Sequence, residues 1–592
     1  MPLRPLALAL PLALTFAVSG CSLFGGGEDA GVEEAPPAPR VEVTFEGLDE
    51  RQERNVRAFL GLAEEPCDAP EWRMKRRLAA ADGDITKGLK ALGYYKPTIT
   101  KSLARSDTCW NASFTVDLGP PITVSEVEVS IDGEAGDDPA FSRLLADLPL
   151  KEGEVLDHSA YESLKTKLSS LASARGYQEA RLTRSELRVD PDAGTAVALV
   201  TMESGPRYRL GELRVAVEGL DENLVRRIAE YEAGQPYSAD RLNNISQALS
   251  DSGYFASVDV RPDVESASDL TIPVRVKAEP RKRHLYTAGV GFDTDKGPRI
   301  RLGYENRRIN RRGHRLVTRL QASPVESGVT AEYRVPLDRP RSEWLTFYAA
   351  GTYEDTDTFD STALRLGVRS THLRGKWLET RFLDLSRENY TVGETDRTST
   401  FLTPGLSYQR VETDGTLRPS HGWRLSAEVR GGTEAALSET NVIRARVSGG
   451  WLRGLPWGGR IITRGEVGAL ATGDFDALPP SLRFFAGGDN SVRGYKFDTL
   501  GPTDDSGEVI GGRYLAVASL EYEHPLVGAW SAAAFVDVGN AFADEGNDGV
   551  KTGVGVGLRW QSPVGPMRVD LAHPLDDDDT TIRLHLRLGP DL

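Results

Sequence analysis

The feature that most constrains this chain is an alternation of apolar and polar residues with a period of two. It continues without helical spacing from residue 281 to residue 592. Residues 423–430, W-R-L-S-A-E-V-R, place apolar side chains at every second position, and residues 582–588, I-R-L-H-L-R-L, repeat the pattern. An all-strand region can cross lipid only as a closed barrel, because every backbone polar group needs a partner. We therefore expect a transmembrane antiparallel β-barrel with its charged face toward a wet lumen.

The length of the alternating region limits how many strands it can form. A transmembrane strand takes about 9–11 residues, and 16 strands in residues 281–592 leave about 19.5 residues for each strand with its connection. Fourteen or eighteen strands fit the same length, since bacterial barrels of this kind have even strand counts. The family resemblance described below implies 16.

The formal net charge of -16 comes almost entirely from the part of the chain before the barrel. Residues 1–280 hold 31 Lys and Arg against 46 Asp and Glu, whereas residues 281–592 hold 40 against 41. A nucleic-acid-binding protein needs a basic surface, so we expect no nucleic acid as a partner. The mean hydropathy of -0.36 argues equally against a bundle of membrane helices.

The N-terminus has the features of an export signal. Arg4 precedes an apolar run, Leu6 to Val18, that is too short to span a bilayer. The run ends in V-S-G-C, which resembles the bacterial lipobox, so we expect residues 1–20 to be a lipoprotein-type signal peptide and Cys21 to be acylated. An ordinary signal peptide is the alternative. Residues 21–40, rich in Gly, Glu, Ala and Pro, are expected to form a flexible tether.

Cys67 and Cys109 are the two other cysteines. In an exported, oxidising setting we expect them to form a disulfide, and two unrelated buried thiols are the alternative. No His or Cys cluster accompanies them, so the sequence predicts no metal site. It also contains no phosphate-binding loop and no nucleophile–base–acid set, so we expect neither a cofactor nor an enzymatic reaction.

Three segments before residue 280 repeat one pattern, in which a helix ends at Gly-Tyr and a strand follows. The glycines are Gly93, Gly176 and Gly253, and each can take the left-handed conformation that ends a helix. A second echo pairs V-T-F-E-G-L-D-E at 43–50 with V-A-V-E-G-L-D-E at 215–222. The repeated unit therefore has the order strand, helix, helix, strand, strand.

This order resembles POTRA domains, the periplasmic modules of outer-membrane assembly and secretion proteins. We expect α+β POTRA domains at 41–119, 120–205 and 206–280, followed by the barrel at 281–592. The resemblance implies that they bind extended chains by adding a strand to an exposed sheet edge. A role as spacers between the membrane and other partners is equally open.

The segment R-F-F-A-G-G-D-N-S-V-R-G-Y, residues 483–495, resembles the loop signature of the BamA/TamA superfamily of outer-membrane assembly proteins. Two further family signatures follow in the same order, Gly512 to Leu526 and F-V-D-V-G-N at 535–540. The chain is most similar to the TamA-like members, and the lipobox is a departure from their usual pattern. The resemblance covers nearly the whole mature chain.

In that family the signature loop folds back into the barrel and its arginine contacts acidic groups on the inner wall. The resemblance therefore implies that Arg493 meets Asp537, with Glu521 nearby. A planar guanidinium that stays charged is suited to holding a carboxylate through two bonds. A latch that moves and a static buried ion pair remain equally open. The loop residues assigned to this lock are Gly487, Gly488, Val492, Arg493, Gly494 and Tyr495.

The family mechanism also uses the seam between the first and last barrel strands. We expect the first strand at 286–292 and the last at 582–588, and we assign Gly289, Gly291 and Leu586 to the seam. Glycines weaken strand packing, which favours a seam that opens, although a routine barrel strand with small lumen residues is the alternative. Between early strands, the basic turn at 307–312 is expected to be solvated on the periplasmic side.

The resemblance implies a factor of the bacterial outer membrane that helps to insert or translocate outer-membrane proteins. Its implied partners are unfolded outer-membrane proteins, outer-membrane lipid and a TamB-like inner-membrane protein. The alternative is a two-partner secretion transporter that exports a client through the barrel. Such transporters usually carry two POTRA domains and a plugging helix, whereas this chain has three Gly-Tyr repeats.

Overall fold

The computed structural model describes residues 39–415, 419–543, 549–562, 565–577 and 582–588. Residues 1–20 and Cys21 lie outside the described residues, as does most of the expected tether. Three small domains precede the barrel, and each contains two helices and a three-stranded sheet in the order strand, helix, helix, strand, strand. The predicted repeat is confirmed. No helix in the described part of the chain is both long enough and apolar enough to cross a membrane.

The bounds of the helices and strands in the three domains follow the chain. The first domain has β1 (Glu42–Glu46), α1 (Glu50–Phe59), α2 (Glu71–Lys90), β2 (Thr98–Arg105) and β3 (Trp110–Asp117); the second has β4 (Thr123–Asp132), α3 (Pro139–Ala146), α4 (His158–Arg175), β5 (Arg181–Asp190) and β6 (Thr195–Glu203); the third has β7 (Arg209–Val217), α5 (Glu222–Ala229), α6 (Ala239–Asp251), β8 (Phe255–Pro262) and β9 (Thr271–Pro280). In each sheet the last strand is central, parallel to the first strand and antiparallel to the second.

The repeated E-G-L-D-E segments start the first helix of their domains. Asp49 accepts a hydrogen bond from Gln52 N before α1, and Asp221 accepts one from Asn223 N before α5. An aspartate at this position satisfies backbone donors that have no partner within the helix. The third domain then buries one face of each helix against the sheet, around Phe255 and Ile272.

In each domain the Gly-Tyr repeat lies at the corner between the second helix and the strand that follows it. Gly93, Gly176 and Gly253 have φ values of 89°, 94° and 75°, the left-handed region that glycine adopts without strain. The carbonyl of Gly93 accepts a hydrogen bond from Ile122 N at 2.9 Å, and that of Tyr254 accepts one from Arg281 N at 2.8 Å. Each corner therefore fixes the backbone that leaves its domain.

In the first domain, a disulfide joins Cys67 to Cys109. Cys67 lies between α1 and α2, and Cys109 immediately precedes the central strand β3. The bond closes a loop across 42 positions of sequence. Cross-linking distant parts of a chain reduces the entropy of its unfolded state, which stabilises the folded domain.

Sixteen antiparallel strands form a nearly closed barrel, as the family resemblance implied. They are β10 (His284–Asp293), β11 (Gly297–Asn306), β12 (Arg315–Ala322), β13 (Glu326–Pro336), β14 (Glu343–Asp355), β15 (Phe359–Arg374), β16 (Trp377–Val392), β17 (Thr395–Thr413), β18 (His421–Gly432), β19 (Val442–Gly454), β20 (Arg460–Thr472), β21 (Tyr514–Pro525), β22 (Trp530–Phe542), β23 (Lys551–Ser562), β24 (Gly565–Pro574) and β25 (Arg583–Leu588). Each strand pairs with its sequence neighbours, and within the described residues no ladder joins β10 to β25.

The barrel is inverted relative to a water-soluble protein. Apolar side chains such as Val290, Val467 and Val556 are exposed on its outer face, whereas Glu388, Glu523 and other charged side chains are buried inside. Alternation along each strand produces this separation, because successive side chains point to opposite faces. The outer face matches lipid and the inner face holds a polar network.

The third POTRA domain and the barrel belong to one compact unit, and the basic turn at 307–312 joins them. Arg308 donates to the carbonyl of Glu218, and the carbonyl of Arg311 accepts from Asp221 N. Tyr254 donates to the carbonyl of Gly313 at 2.5 Å. The expectation of a merely solvated turn is wrong, because its backbone and side chains bind the third domain.

Candidate functional site

A loop of residues 473–513 connects β20 to β21 and folds into the barrel lumen; we call it the inward loop. Val492 is fully buried and Tyr495 is nearly so. Both belong to an apolar cluster with wall residues from several strands, including Phe401, Leu515 and Ala541. The loop is therefore anchored by apolar contacts on both sides of Arg493.

Arg493 uses every N–H donor of its guanidinium group. Nε and Nη2 bind the two carboxylate oxygens of Asp537 at 2.6 and 3.0 Å. Nη1 binds Glu521 at 2.8 Å and Asp570 at 3.1 Å, while Nη2 also reaches Ser519 Oγ at 3.4 Å. The backbone N–H of Arg493 adds a third bond to Asp537. A lysine, whose three donors lie on a single nitrogen atom, could not make this planar set of hydrogen bonds.

Arg559 on β23 completes the group of charges. Its Nη2 binds Glu521 at 2.8 Å and its Nη1 binds Asp570 at 2.5 Å, so both carboxylates are shared with Arg493. We call Arg493, Glu521, Asp537, Arg559 and Asp570 the charge cluster. The cluster has two cations for three carboxylates, and Arg464 approaches Ser519 Oγ at 3.3 Å from β20.

Burial makes the charge cluster sensitive to the loss of one member. Asp537 is fully buried, and Arg493 and Glu521 are 2% and 3% exposed. The guanidinium carbon of Arg493 also lies 3.3 Å from the ring centroid of Phe535, which adds a cation–π contact. Removing one partner of a buried ion pair costs roughly 3–5 kcal/mol, because the other charge stays buried without compensation.

The wall is shaped to receive the inward loop. A Cβ atom at Gly553 on β23 would lie 1.8 Å from the carbonyl oxygen of Arg493, so only glycine leaves room for the loop backbone there. On the loop itself, Gly487, Gly488 and Gly494 have φ values of 103°, 93° and 102°. The close contact at Gly553 shows that loop and wall are fitted to each other.

The seam lies between β10 and β25. Gly289 and Gly291 lie in β10 and Leu586 in β25, and among the described residues no strand pairing joins either glycine to Leu586. Leu586 contacts Thr294 instead: Thr294 N donates to the Leu586 carbonyl at 3.2 Å, and Leu586 N donates to Thr294 Oγ1 at 3.0 Å. The two edges are therefore joined just beyond the end of β10, on the side of the barrel away from the POTRA domains.

The motif resemblance pointed to Asp537 and Glu521, and the structure brings both to Arg493. It did not point to Ser519, Arg559 or Asp570, which complete the site. A signal for them was present, because each shares the lumen-facing parity of its strand. Parity shows which face a side chain occupies, whereas its height along the barrel depends on strand register.

Family profiles match the chain in three places. The Omp85 superfamily domain matches residues 299–591, the profile "POTRA domain TamA domain 1" matches 42–118, and "Surface antigen variable number repeat", a POTRA profile, matches 210–279.

Two curated relatives are named outer membrane protein assembly factor BamA. The protein of Nitratidesulfovibrio vulgaris (strain Hildenborough) is 25% identical over 92% of this chain and 72% of its own length. That of Neisseria meningitidis serogroup B (strain MC58) is 22% identical over 78% of this chain and 66% of its own length.

A solved structure has the same fold. BamA from Haemophilus ducreyi lacking POTRA domains 1–3 aligns with a TM-score of 0.68 and 16% identity, over 78% of this chain and 98% of that one. Both structures therefore have POTRA domains followed by an antiparallel barrel. The matched profiles cover the barrel and two of the POTRA domains, and they show that the chain belongs to the Omp85 superfamily.

Proposed function

We propose that the protein is an assembly factor that inserts or translocates outer-membrane proteins through the seam between β10 and β25. The observation that carries this proposal is the sheet order, in which β10 and β25 are the two free edges of a 16-stranded sheet. An edge strand presents a row of backbone donors and acceptors to which another chain can add. A client strand could therefore pair with this edge without breaking any ladder within the described barrel.

The protein lies in the outer membrane with its POTRA domains in the periplasm. This places three small sheets on the side from which unfolded clients arrive. In each sheet the second strand forms one edge, whereas the other edge is paired at or beside its start with the loop between the two helices. The third domain is held against the barrel beside β11 and β12, close to the first edge of the seam. A client delivered along that domain would arrive next to β10. None of these steps requires a covalent reaction.

Within this class we propose a TamA-like role. The match of residues 42–118 to the TamA-type first POTRA domain supports it, as does the presence of three POTRA domains. A TamA-like role brings with it a TamB-like inner-membrane partner. Site-specific crosslinking from the first POTRA domain in intact cells, followed by mass spectrometry, tests this. Recovery of only outer-membrane proteins and lipoproteins would contradict the TamA-like assignment.

The assembly proposal is tested by closing the seam reversibly. Thr294 and Leu586 are joined by two hydrogen bonds across the seam, so cysteines replacing them are the pair chosen for a disulfide cross-link. The protein is reconstituted in liposomes, and insertion of a urea-unfolded outer-membrane barrel is followed by protease protection. We expect insertion to stop in the oxidised variant and to return after reduction.

The matched control is the unaltered protein under the same two conditions, because the native Cys67–Cys109 bond also responds to reductant. If the oxidised variant inserts clients as well as the control does, the seam is not the route. If a client is instead released in soluble form on the far side of the membrane, the two-partner secretion alternative is favoured.

A further inference from the structure

The tip of the inward loop lies across the seam. Asp489 is 6% exposed and contacts both edges: its carboxylate binds Thr294, just after β10, and His585, in β25. Its backbone N–H donates to Asp295 Oδ2 at 2.8 Å. We call Thr294, Asp295, Asp489 and His585 the clasp. It is distinct from the charge cluster, since it shares no side chain with it.

The hydrogen bonds of the clasp form a continuous chain from one edge to the other. Thr294 Oγ1 donates to the Asp489 carboxylate at 3.1 Å and accepts from Leu586 N at 3.0 Å. Asp489 Oδ1 lies 2.5 Å from Nδ1 of His585, which is 4% exposed. Two arginines of β25 strengthen the attachment, since Arg583 donates to the Gly494 carbonyl and Arg587 to Asn490.

The tautomer of His585 follows from its hydrogen-bond partners. Its Nε2 accepts a hydrogen bond from Gly494 N at 2.9 Å, so the ring proton is on Nδ1 and points at Asp489. Polar side-chain atoms of Asp295, Asp489 and His585 all lie within 4.8 Å of one another. The ring nitrogen that faces Asp489 carries the proton, so the Asp489 carboxylate accepts this hydrogen bond.

A cavity of about 360 Å³ adjoins the clasp at the outer end of the barrel. Its wall includes Thr294, Asp295 and His585, so three of the four clasp residues border this cavity. The charged and titratable groups that act on Asp295 or share its cavity come from β10, β14 and the turn after it, the inward loop and β25, in addition to Lys296 on its own turn: Asp293, Asp355, Asp357, Asp489, Lys496, Arg583, His585 and Arg587.

We propose that Asp489 is a positioning residue that fastens the two edges of the seam, and that deprotonation of the clasp loosens this attachment. The geometry supports the first part, because one carboxylate is bound from both edges. It also supports the second, because Asp295 and Asp489 are two acidic groups brought together beside a single histidine. Closing the clasp therefore forces two carboxylates into one partly desolvated place.

The direction of the pH effect follows from Asp295. Burial, and then the neighbouring charge of Asp489, raise the pKa of Asp295 to about 7, from an ordinary value of 3.8 in water. The closed clasp thus binds a proton that the open clasp releases. The protonated Asp295 therefore stabilises the closed clasp fully at a pH below 3.8, its ordinary pKa, and this stabilisation is lost as the pH rises through about 7. The open fraction should increase on the order of tenfold between pH 5.5 and pH 8.0.

The clasp lies entirely within the barrel, so its test measures the distance across the seam and does not depend on client insertion. Spin labels are placed on cysteines replacing Val290 and Leu584, which are exposed on the outer faces of β10 and β25, in full-length protein with Cys21→Ser. Pulsed electron paramagnetic resonance in lipid nanodiscs then gives the distance across the seam. We expect one narrow distance at pH 5.5 and a second, longer population at pH 8.0.

Three variants separate the clasp from a general structural role. Asp489→Ala should give the longer population at both pH values, whereas Asp295→Asn should keep the short distance at both, because the titrating carboxyl is gone. Asp357→Asn, at a carboxylate that lines the same cavity and is paired with Lys496, should behave like the unaltered protein, because Asp357 is not part of the clasp.

Identical distances at both pH values in the unaltered protein would overturn the linkage to protons. A short distance in Asp489→Ala at both pH values would overturn the clasp itself. If Asp489→Ala does not fold, Asp295→Asn decides: a retained pH response in that variant contradicts the proposal. A failure of client insertion in liposomes would leave these distance measurements unaffected.

Discussion

The third POTRA domain and the barrel are neighbours in one compact unit, yet different interactions hold their interiors together. The domain encloses apolar side chains such as Leu224, Ile272 and Val274, which are all at most 1% exposed. At the charge cluster the barrel instead encloses charged side chains, and each of them forms hydrogen bonds with particular atoms of its partners. Apolar packing is non-directional, so removing part of it lowers stability by a graded amount. A buried ion that loses its partner instead destabilises the protein by the full cost of an uncompensated buried charge.

This comparison predicts that even a change from arginine to lysine in the charge cluster should strongly destabilise the barrel. Arg493→Lys keeps the charge but loses the planar fork, leaving Asp537 and Asp570 incompletely bound. We expect the barrel to lose roughly 3–5 kcal/mol of stability, the cost of breaking a buried pair, and to unfold at a clearly lower temperature on semi-native gels.

Arg446→Lys is the matched control, because Arg446 also faces the lumen and binds Glu466 but is half exposed. That pair should be worth no more than about 1 kcal/mol. Equal unfolding temperatures for the two variants would mean that the charge cluster does not stabilise the barrel.

The second prediction concerns the first domain, where a covalent bond supplements the apolar core. Replacing Cys67 and Cys109 together by serine should cost that domain about 2–4 kcal/mol, through the entropy gained by the unfolded chain. Hydrogen exchange of β2 and β3 in the full-length protein measures the change. Barrel strands should exchange as before, and faster exchange there would contradict the separation of the two regions.

The third prediction tests the boundary between the regions. Tyr254→Phe keeps the ring in the apolar core but removes the hydrogen bond to the Gly313 carbonyl. The expected loss is about 1 kcal/mol, the usual size for one buried hydrogen bond. Hydrogen exchange of residues 307–314 should quicken, while the centre of β9 should not respond. Tyr231→Phe, which removes a bond within the domain, is the control.

An effect of similar or smaller size is expected inside the apolar core itself. Ile272→Val removes one methylene from a fully buried site and should cost the third domain about 0.5–1.5 kcal/mol. Chemical denaturation followed by hydrogen exchange measures it. A loss as large as that from Arg493→Lys would show that the domain is no more tolerant than the charge cluster.

The parts of the structure that follow a local rule could be predicted from the sequence. Period-two alternation predicted the barrel and its polar interior, and the repeated Gly-Tyr corners predicted three domains of one topology. Asp537 and Glu521 could be named because the family signatures carry them.

The remaining contacts depend on register and on docking, which are not local. Asp489 and His585 are 96 positions apart, and only the path of the inward loop brings them together. The basic turn at 307–312 looked like a solvated feature because its partner, the start of α5, lies almost ninety positions earlier. The charges of the turn gave no indication that the backbone carbonyl of Arg311 would make the contact, by accepting from Asp221 N.

The spacing of the charge cluster along the chain has a consequence for the order of folding. Among the described residues, the side chains that hydrogen-bond Arg493 all belong to residues 519–570, so residues 493–570 contain the whole charge cluster. The contact between Thr294 and Leu586 instead joins residues 292 positions apart. Contacts between distant residues pay a larger loop-closure entropy and form later. The C-terminal hairpins should therefore assemble around the inward loop first, and the seam should close last. An interface that forms last is also the one that can reopen without disturbing the strands that formed before it.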